Sequence, residues 1–189
     1  DYRDMLQLDQ LDAVSIVTPP VLHHPMTLGA LLAGKHVLCE KPMAMDQQQA
    51  KEMFDTARQT GLTAMIAHEF RFAPARALVK ELLGQGYLGT LHLGNLSLFL
   101  WPQENFKSRP MLWQSDASQG GGFLFALGSH YIDCLRNWFG EITTASGWVA
   151  TSFPDRILPS SGDIAHASSD DTFSFAVTLE SGGWATMTA

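Results

Sequence analysis

The sequence predicts an α/β segment followed by an α+β segment. Three observations carry that expectation. Short apolar runs alternate with helical patterns as far as residue 66. Beyond residue 67 the chain turns to a long, partly alternating run and then to a group of late strand candidates. Gly and Pro punctuate the junctions between them.

Taken in order, Ala13-Val14-Ser15-Ile16-Val17 has the composition of a buried strand, ended by Thr18-Pro19-Pro20. Leu22, Met26, Ala30 and Ala33 recur on one side of a helix over 21–33, which Gly34 stops. His36-Val37-Leu38-Cys39 is a second short strand. Asp46 suits the N-cap of a helix running to about Thr60, and Gly61 its C-terminal cap. Leu62-Thr63-Ala64-Met65-Ile66 is a third strand. This spacing means parallel βαβ units with helices covering the sheet. Residues 1–67 thus predict a partial Rossmann-like parallel sheet. It is partial because no Gly-x-Gly-x-x-Gly turn precedes residue 13. Such a turn and its helix supply backbone N–H groups to a pyrophosphate, so the residues present are expected to bind a dinucleotide poorly. The chain enters mid-series and ends inside the strand pattern Thr186-Met187-Thr188-Ala189, as a piece of a longer protein would.

Residues 68–189 predict a C-terminal domain with a mostly antiparallel open sheet. A helix spans Ala73 to Leu83, ended by Gly84 and Gly86. Leu91 to Trp101 is patterned as a half-exposed antiparallel strand, and 102–119 as loop. A glycine run from Gly120 opens a helix that continues to about Phe139. Strands follow at 142–152, 172–180 and 183–189. Pro, Ser, Gly and Asp make Pro154 to Asp170 a long loop.

Composition narrows the function classes. A net charge of −7 without any Lys/Arg cluster excludes nucleic acid as a main partner. Cys39 and Cys134 sit inside apolar runs and form no disulfide framework, so free buried thiols in a reducing compartment are expected. No apolar run approaches the ~18 residues of a membrane span, and no leader pattern opens the chain. A soluble, cytoplasmic protein is the expectation.

Four groups of residues can carry chemistry. Thr18-Pro19-Pro20 with His23 lies at the carboxyl end of a strand, where open α/β sheets bind ligands; plain turn punctuation is the other reading. Glu40-Lys41-Pro42 ends the next strand. There Glu40 can orient and keep charged the Lys41 amine, which can stabilise a substrate oxygen, and Pro42 can lock the geometry through a cis bond; alternatively the pair simply faces solvent. Gly120-Gly121-Gly122 permits close backbone approach, and His130 and Asp133 beyond it share a helix face; His130 is either a proton shuttle or a satisfied buried His. In His68-Glu69-Phe70-Arg71-Phe72-Ala73-Pro74, Arg71 can grip a phosphate, a carboxylate or a carbonyl, and the aromatics can pack the junction of the two halves. Trp101, Pro102 and Trp113 can line a sugar pocket or pack a core. No cluster has metal-ligand spacing.

The order of these motifs is more specific than any one of them. Thr-Pro-Pro-x-x-His, then Ala-Gly-Lys-His-Val-Leu-Cys-Glu-Lys-Pro, His-Glu-Phe-Arg-Phe-x-Pro, and Gly-Gly-Gly with Gly-Ser-His-x-Ile-Asp resembles the glucose-fructose oxidoreductase / inositol dehydrogenase family (Gfo/Idh/MocA) from Asp1 to at least Glu141. The resemblance implies a Rossmann domain that binds NAD or NADP and a C-terminal domain that supplies the sugar or polyol pocket and a homo-oligomer interface. It implies that Thr18, Pro19 and His23 lie near the cofactor. Glu40 and Lys41 match the motif beside the nicotinamide and the substrate hydroxyl. Arg71 matches the domain-junction arginine, grouped with the cofactor contacts, and His130 the acid/base histidine. The implied reaction is oxidation of a secondary alcohol, with Lys41 and His130 catalytic. One departure stands out: many members carry Asp four residues before the histidine, and here the position is Ala126. That departure favours a non-catalytic sugar-binding or regulatory relative as the alternative. A lyase or hydrolase that uses NAD transiently is a third reading.

Overall fold

The computed structural model describes residues 1–99 and 109–189. Trp101 and Pro102 lie outside the described residues. The chain divides into two compact units: Asp1–His68 with Ser118–Gly120, and Glu69–Ala117 with Gly121–Ala189.

The first unit contains α1 (Tyr2–Leu6), β1 (Ala13–Ile16), a 3₁₀ turn (Pro20–Leu22), α2 (His23–Leu32), β2 (His36–Cys39), α3 (Gln47–Thr60) and β3 (Ala64–Ile66). The strands form a parallel sheet in the order β1-β2-β3. Strand period dictates which side chains enter the core: Val14 and Ile16 on β1, Val37 and Cys39 on β2. Leu6, Ala30, Leu31 and Met53 from the three helices join them in one cluster. Because all three helices contribute to that cluster, they cover one face of the sheet. Ser15, Leu38 and Met65, on β1, β2 and β3, remain exposed. α3 begins where expected, with the Asp46 carboxylate accepting from the Gln49 N–H at 2.8 Å. It ends at Gly61, whose φ of 67° is the left-handed value that favours glycine.

The second unit opens with a 3₁₀ turn (Glu69–Phe72) and α4 (Pro74–Gly84), Pro74 sitting in the helix's first turn, where its missing N–H leaves no bond unmade. Its sheet runs β4-β9-β8-β5, with β4 (Leu93–Ser97), β5 (Ile142–Ala150), β8 (Thr172–Leu179) and β9 (Trp184–Thr188). β5/β8 and β8/β9 are antiparallel. β4 departs from expectation, because it pairs parallel with β9. Alternating polarity reports a half-exposed strand but not the direction of its neighbour. The helix expected from Gly120 to Phe139 is two pieces, a π-helical turn (Leu124–Gly128) and α5 (Ser129–Phe139). α5 contributes Leu135 to a core with Val177 and Ala185.

The expected loop 154–170 also differs. It holds a two-stranded antiparallel hairpin, β6 (Asp155–Ile157) and β7 (Ile164–His166). Three-residue strands around Pro-Ser-Ser-Gly have a loop's composition. Arg156 holds this segment in place. It is 5% exposed, donates to the Phe153 and Asp155 carbonyls, and lies 3.9 Å from the Asp171 carboxylate.

Both cysteines are free and buried. Burial pushes the Cys39 thiol from its ordinary 9.0 up to about 11, opposed by the neighbouring Thr27 hydroxyl and reinforced by the Glu40 charge. The folded state therefore retains this proton after the unfolded chain has lost it. Its stabilising contribution is complete below pH 9 and declines as pH rises from 9 towards 11. Urea titrations at pH 8, 9, 10 and 10.5 should show falling stability, with a flatter profile for Cys39→Ala.

Candidate active site

The site residues expected from sequence fall into two groups, one in each unit. In the first unit, Ile16, Cys39 and Ile66 are register neighbours across the three strands. The loops that follow them leave the same edge, the carboxyl end of a parallel sheet. Thr18 sits at this edge with its Oγ1 buried and no hydrogen-bond partner in the protein. A buried hydroxyl left unpaired there is the kind of group a bound ligand satisfies. Gly120 packs over the same turn: a Cβ on it would lie 2.4 Å from the Pro20 Cβ.

His23 fastens two of these loops together. It is fully buried, and its Nδ1 and Nε2 lie 2.8 Å and 3.0 Å from the carbonyl oxygens of Pro42 and Thr18. Carbonyl oxygens only accept, so the ring N–H of a neutral imidazole donates to one of the two, as its tautomer decides. His23 thus fixes the position of Thr18 and of the turn after Lys41. The Lys41–Pro42 bond is cis, the geometry expected of Pro42. The Glu40 carboxylate accepts from the Lys41 backbone N–H at 3.2 Å.

In the second unit, three consecutive residues grip the start of α5. Arg71 makes a bidentate contact with Asp133: its Nε donates to Oδ2 at 2.8 Å and its Nη2 to Oδ1. Asp133 is 7% exposed, and this hydrogen bond raises the Arg71 pKa above its ordinary value despite partial burial. The sequence expectation for Arg71 is a cofactor contact; two of its donors go to Asp133. Phe70 stacks on the His130 ring, with centroids 3.9 Å apart and planes 10° apart, and Arg76 covers Phe70 at 4.3 Å. Glu69 Oε1 lies 3.6 Å from His130 Nε2.

His130 itself is 3% exposed, in the first turn of α5. Glycines explain how the chain reaches it. Gly122 has a φ of 127°, and a Cβ there would lie 2.4 Å from Asp170 Oδ1. The other Asp170 oxygen accepts from the Leu124 N–H at 2.8 Å. A Cβ on Gly128 would meet Leu124 at 2.7 Å and Phe173 at 3.2 Å. The close approaches permitted by the glycine run are therefore to this chain's own residues. A cavity of about 620 Å³ lies in this unit, lined by Arg109, Gln114, Ala126, Arg156, Asp170 and Asp171 among others. Trp113 is half-buried in a short 3₁₀ turn and is not part of this lining.

Glu69 is the residue that motif spacing missed. It precedes Phe70 and Arg71 directly, but only the 3₁₀ turn at 69–72 brings all three side chains onto α5. Among the described residues no group of three or more His, Cys, Asp or Glu is gathered to hold a metal, and no helix is long and apolar enough to cross a membrane.

Residues 1–68 match the model described as "Oxidoreductase family, NAD-binding Rossmann fold", and residues 77–189 match the "GFO/IDH/MocA C-terminal domain". The chain belongs to the GFO/IDH/MocA oxidoreductase family. Within it, the chain is 36% identical over 180 residues to an uncharacterised oxidoreductase of Synechocystis, covering 95% of this chain and 48% of that protein. It is 31% identical to the levoglucosan dehydrogenase of Pseudarthrobacter phenanthrenivorans over 86% of this chain and 42% of that one. A levoglucosan dehydrogenase structure in complex with NADH and levoglucosan superposes with a TM-score of 0.91 at 27% identity, covering all of this chain and 50% of that one. The chain thus spans about half the length of the GFO/IDH/MocA relatives it matches.

Two substitutions test the fastening of the two groups. His23→Ala removes the ring that bridges the Thr18 and Pro42 carbonyls and should destabilise by about 1–3 kcal/mol, read from chemical denaturation. Asp133→Ala strands the Arg71 guanidinium and should cost about 2–4 kcal/mol in the same measurement, with Asp133→Asn recovering part of the loss.

Proposed function

We propose that the intact protein oxidises a secondary alcohol of a sugar or polyol, with NAD or NADP as hydride acceptor. The observation that carries the reading is His130, a buried imidazole held by an aromatic stack in a unit that also contains a cavity of about 620 Å³. Alcohol oxidation requires a proton-transfer group and a concave pocket for the substrate; the residues lining this cavity include Ala126, one turn before His130. Two Arg and two Asp in the cavity lining balance their charges, which suits a neutral polyhydroxy compound. Similarity to a levoglucosan dehydrogenase supports the same substrate class.

Thr18, Pro19, His23, Glu40, Lys41 and Arg71 are the residues assigned to the cofactor side. The unpaired Thr18 hydroxyl fits a ligand at the carboxyl edge of the sheet. When bound, the nicotinamide supplies the hydride acceptor. Thr18 offers it a hydroxyl, His23 fixes the turn that carries Thr18, and Glu40 holds the backbone of Lys41. Arg71 acts through Asp133, fixing the helix that carries His130. Lys41 stabilises negative charge on the substrate oxygen, and His130 takes the hydroxyl proton as the carbonyl forms. Assembly into homo-oligomers through the second-unit sheet belongs to this reading, and β5 exposes Trp148 (72%) and Val149 (52%).

A non-catalytic sugar-binding or regulatory relative is the second reading, favoured by Ala126. Steady-state kinetics of the intact protein across a panel of sugars and polyols distinguish the two. In the enzyme reading, Lys41→Ala lowers turnover by ~10²–10⁴-fold. Unchanged turnover in that variant removes Lys41 from the mechanism. Cofactor binding without turnover on any of the panel supports the regulatory relative.

A further inference from the structure

Alcohol oxidation releases a proton. His130 takes it in the reading above, yet His130 is 3% exposed, so the proton needs a route to water. At the Nε2 edge of the ring the Glu69 carboxylate lies within ion-pair reach, its Oε1 at 3.6 Å. The Glu69 side chain is 61% exposed, so the same group touches the buried imidazole at one end and solvent at the other.

The placement of Glu69 is built. The next residue, Phe70, stacks on the same imidazole. The one after that, Arg71, is bidentate to Asp133, one turn along α5 from His130. These two anchors fix the backbone from which the Glu69 side chain leaves, beside the His130 ring. Ala126, four residues before His130, offers only a methyl group, so the helical turn preceding the histidine supplies no carboxylate at that position.

We propose that Glu69 is the positioning partner of His130: it stabilises the imidazolium formed when the substrate hydroxyl gives up its proton, then accepts that proton from Nε2 and passes it to water. The proposal rests on the alcohol-oxidation reading. The balance is simple. The substrate O–H proton moves to the imidazole, the imidazolium N–H proton moves to the Glu69 carboxylate, and water or buffer base restores the carboxylate. The hydride and its electron pair leave with the established type of cofactor and do not involve Glu69. The other charged groups on elements packed around His130 are Arg71 on the same turn, Arg76, Lys80 and Glu81 on α4, and Asp133 and Arg136 on α5; Glu81 accepts from the Gln85 side chain. Arg71 is paired with Asp133 and Arg136 with Glu141, while Lys80 donates to the Asn137 carbonyl and Arg76 lies over Phe70.

The test uses the intact protein with a polyol that it oxidises, comparing wild type, Glu69→Gln, Glu69→Asp and His130→Ala. Glu69→Gln should lower kcat about 10-fold with KM little changed. The acidic limb of the kcat/KM profile should move to lower pH, because an imidazolium is favoured by a neighbouring carboxylate. Raising the concentration of a small carboxylate or imidazole buffer should restore kcat in Glu69→Gln and leave wild type unaffected. Glu69→Asp should fall between the two. Thermal unfolding should be unchanged, separating a proton route from a structural part. If Glu69→Gln keeps wild-type kcat and pH profile, or loses activity with no buffer response, the assignment of Glu69 is overturned. If His130→Ala keeps full activity, the underlying reading fails instead, whatever Glu69 does.

Discussion

The paired contact between Arg71 and Asp133 is the constraint on which the second half of the site depends. A planar guanidinium meets a nearly buried carboxylate through two parallel bonds, and such a fork fixes both distance and rotation. It joins a turn at residues 69–72 to a helix some sixty residues later. Everything else in that neighbourhood follows from the register it sets. Phe70 meets the His130 ring face, Glu69 reaches its edge, and Arg76 closes over the other side of Phe70. Arg71, expected on the cofactor side, commits two of its donors to holding the helix that carries His130.

The first unit solves a comparable problem with a neutral acceptor pair. Two loops leaving parallel strands have carbonyl groups to satisfy inside the protein, and one imidazole serves both. His23 is fully buried, and its contact with both loops ties the turn after β1 to the turn after β2. The two units thus use the same logic of fixing a turn by a polar contact from a helix, one with a charged pair and the other with a single imidazole set between two carbonyls.

Much of the first unit was legible in the residue order, because its signals are local. Asp46 and Gly61 bound α3 through contacts within a few residues of themselves, and the alternation Val14/Ile16 and Val37/Cys39 reports burial directly. The second unit resisted where its structure is non-local. Nothing within 91–101 indicates that β4 will lie beside residues 184–188 in parallel. The hairpin at 155–166 is held by Arg156 reaching Asp171, a partner that polarity along 154–170 does not announce. The same distinction separates the site residues. Lys41 and His130 carry motifs, whereas Glu69 gains its meaning only from a turn that brings it to a helix far along the chain.

The parallel pairing of β4 with β9 also orders events in time. β9 lies between β4 and β8, and begins ninety-one residues after Leu93. Among the described residues β4 pairs with β9, so during synthesis β4 leaves the ribosome before that neighbour exists, while β5 docks on β8 at the far side of the sheet. At ribosomal speeds of ~5–20 residues per second it waits several seconds with open backbone groups. The first unit's sheet, built almost wholly from its first sixty-six residues, closes in that interval. Nascent-chain folding of this protein is therefore sequential, and the second unit is the stage at which a chaperone has surface to protect.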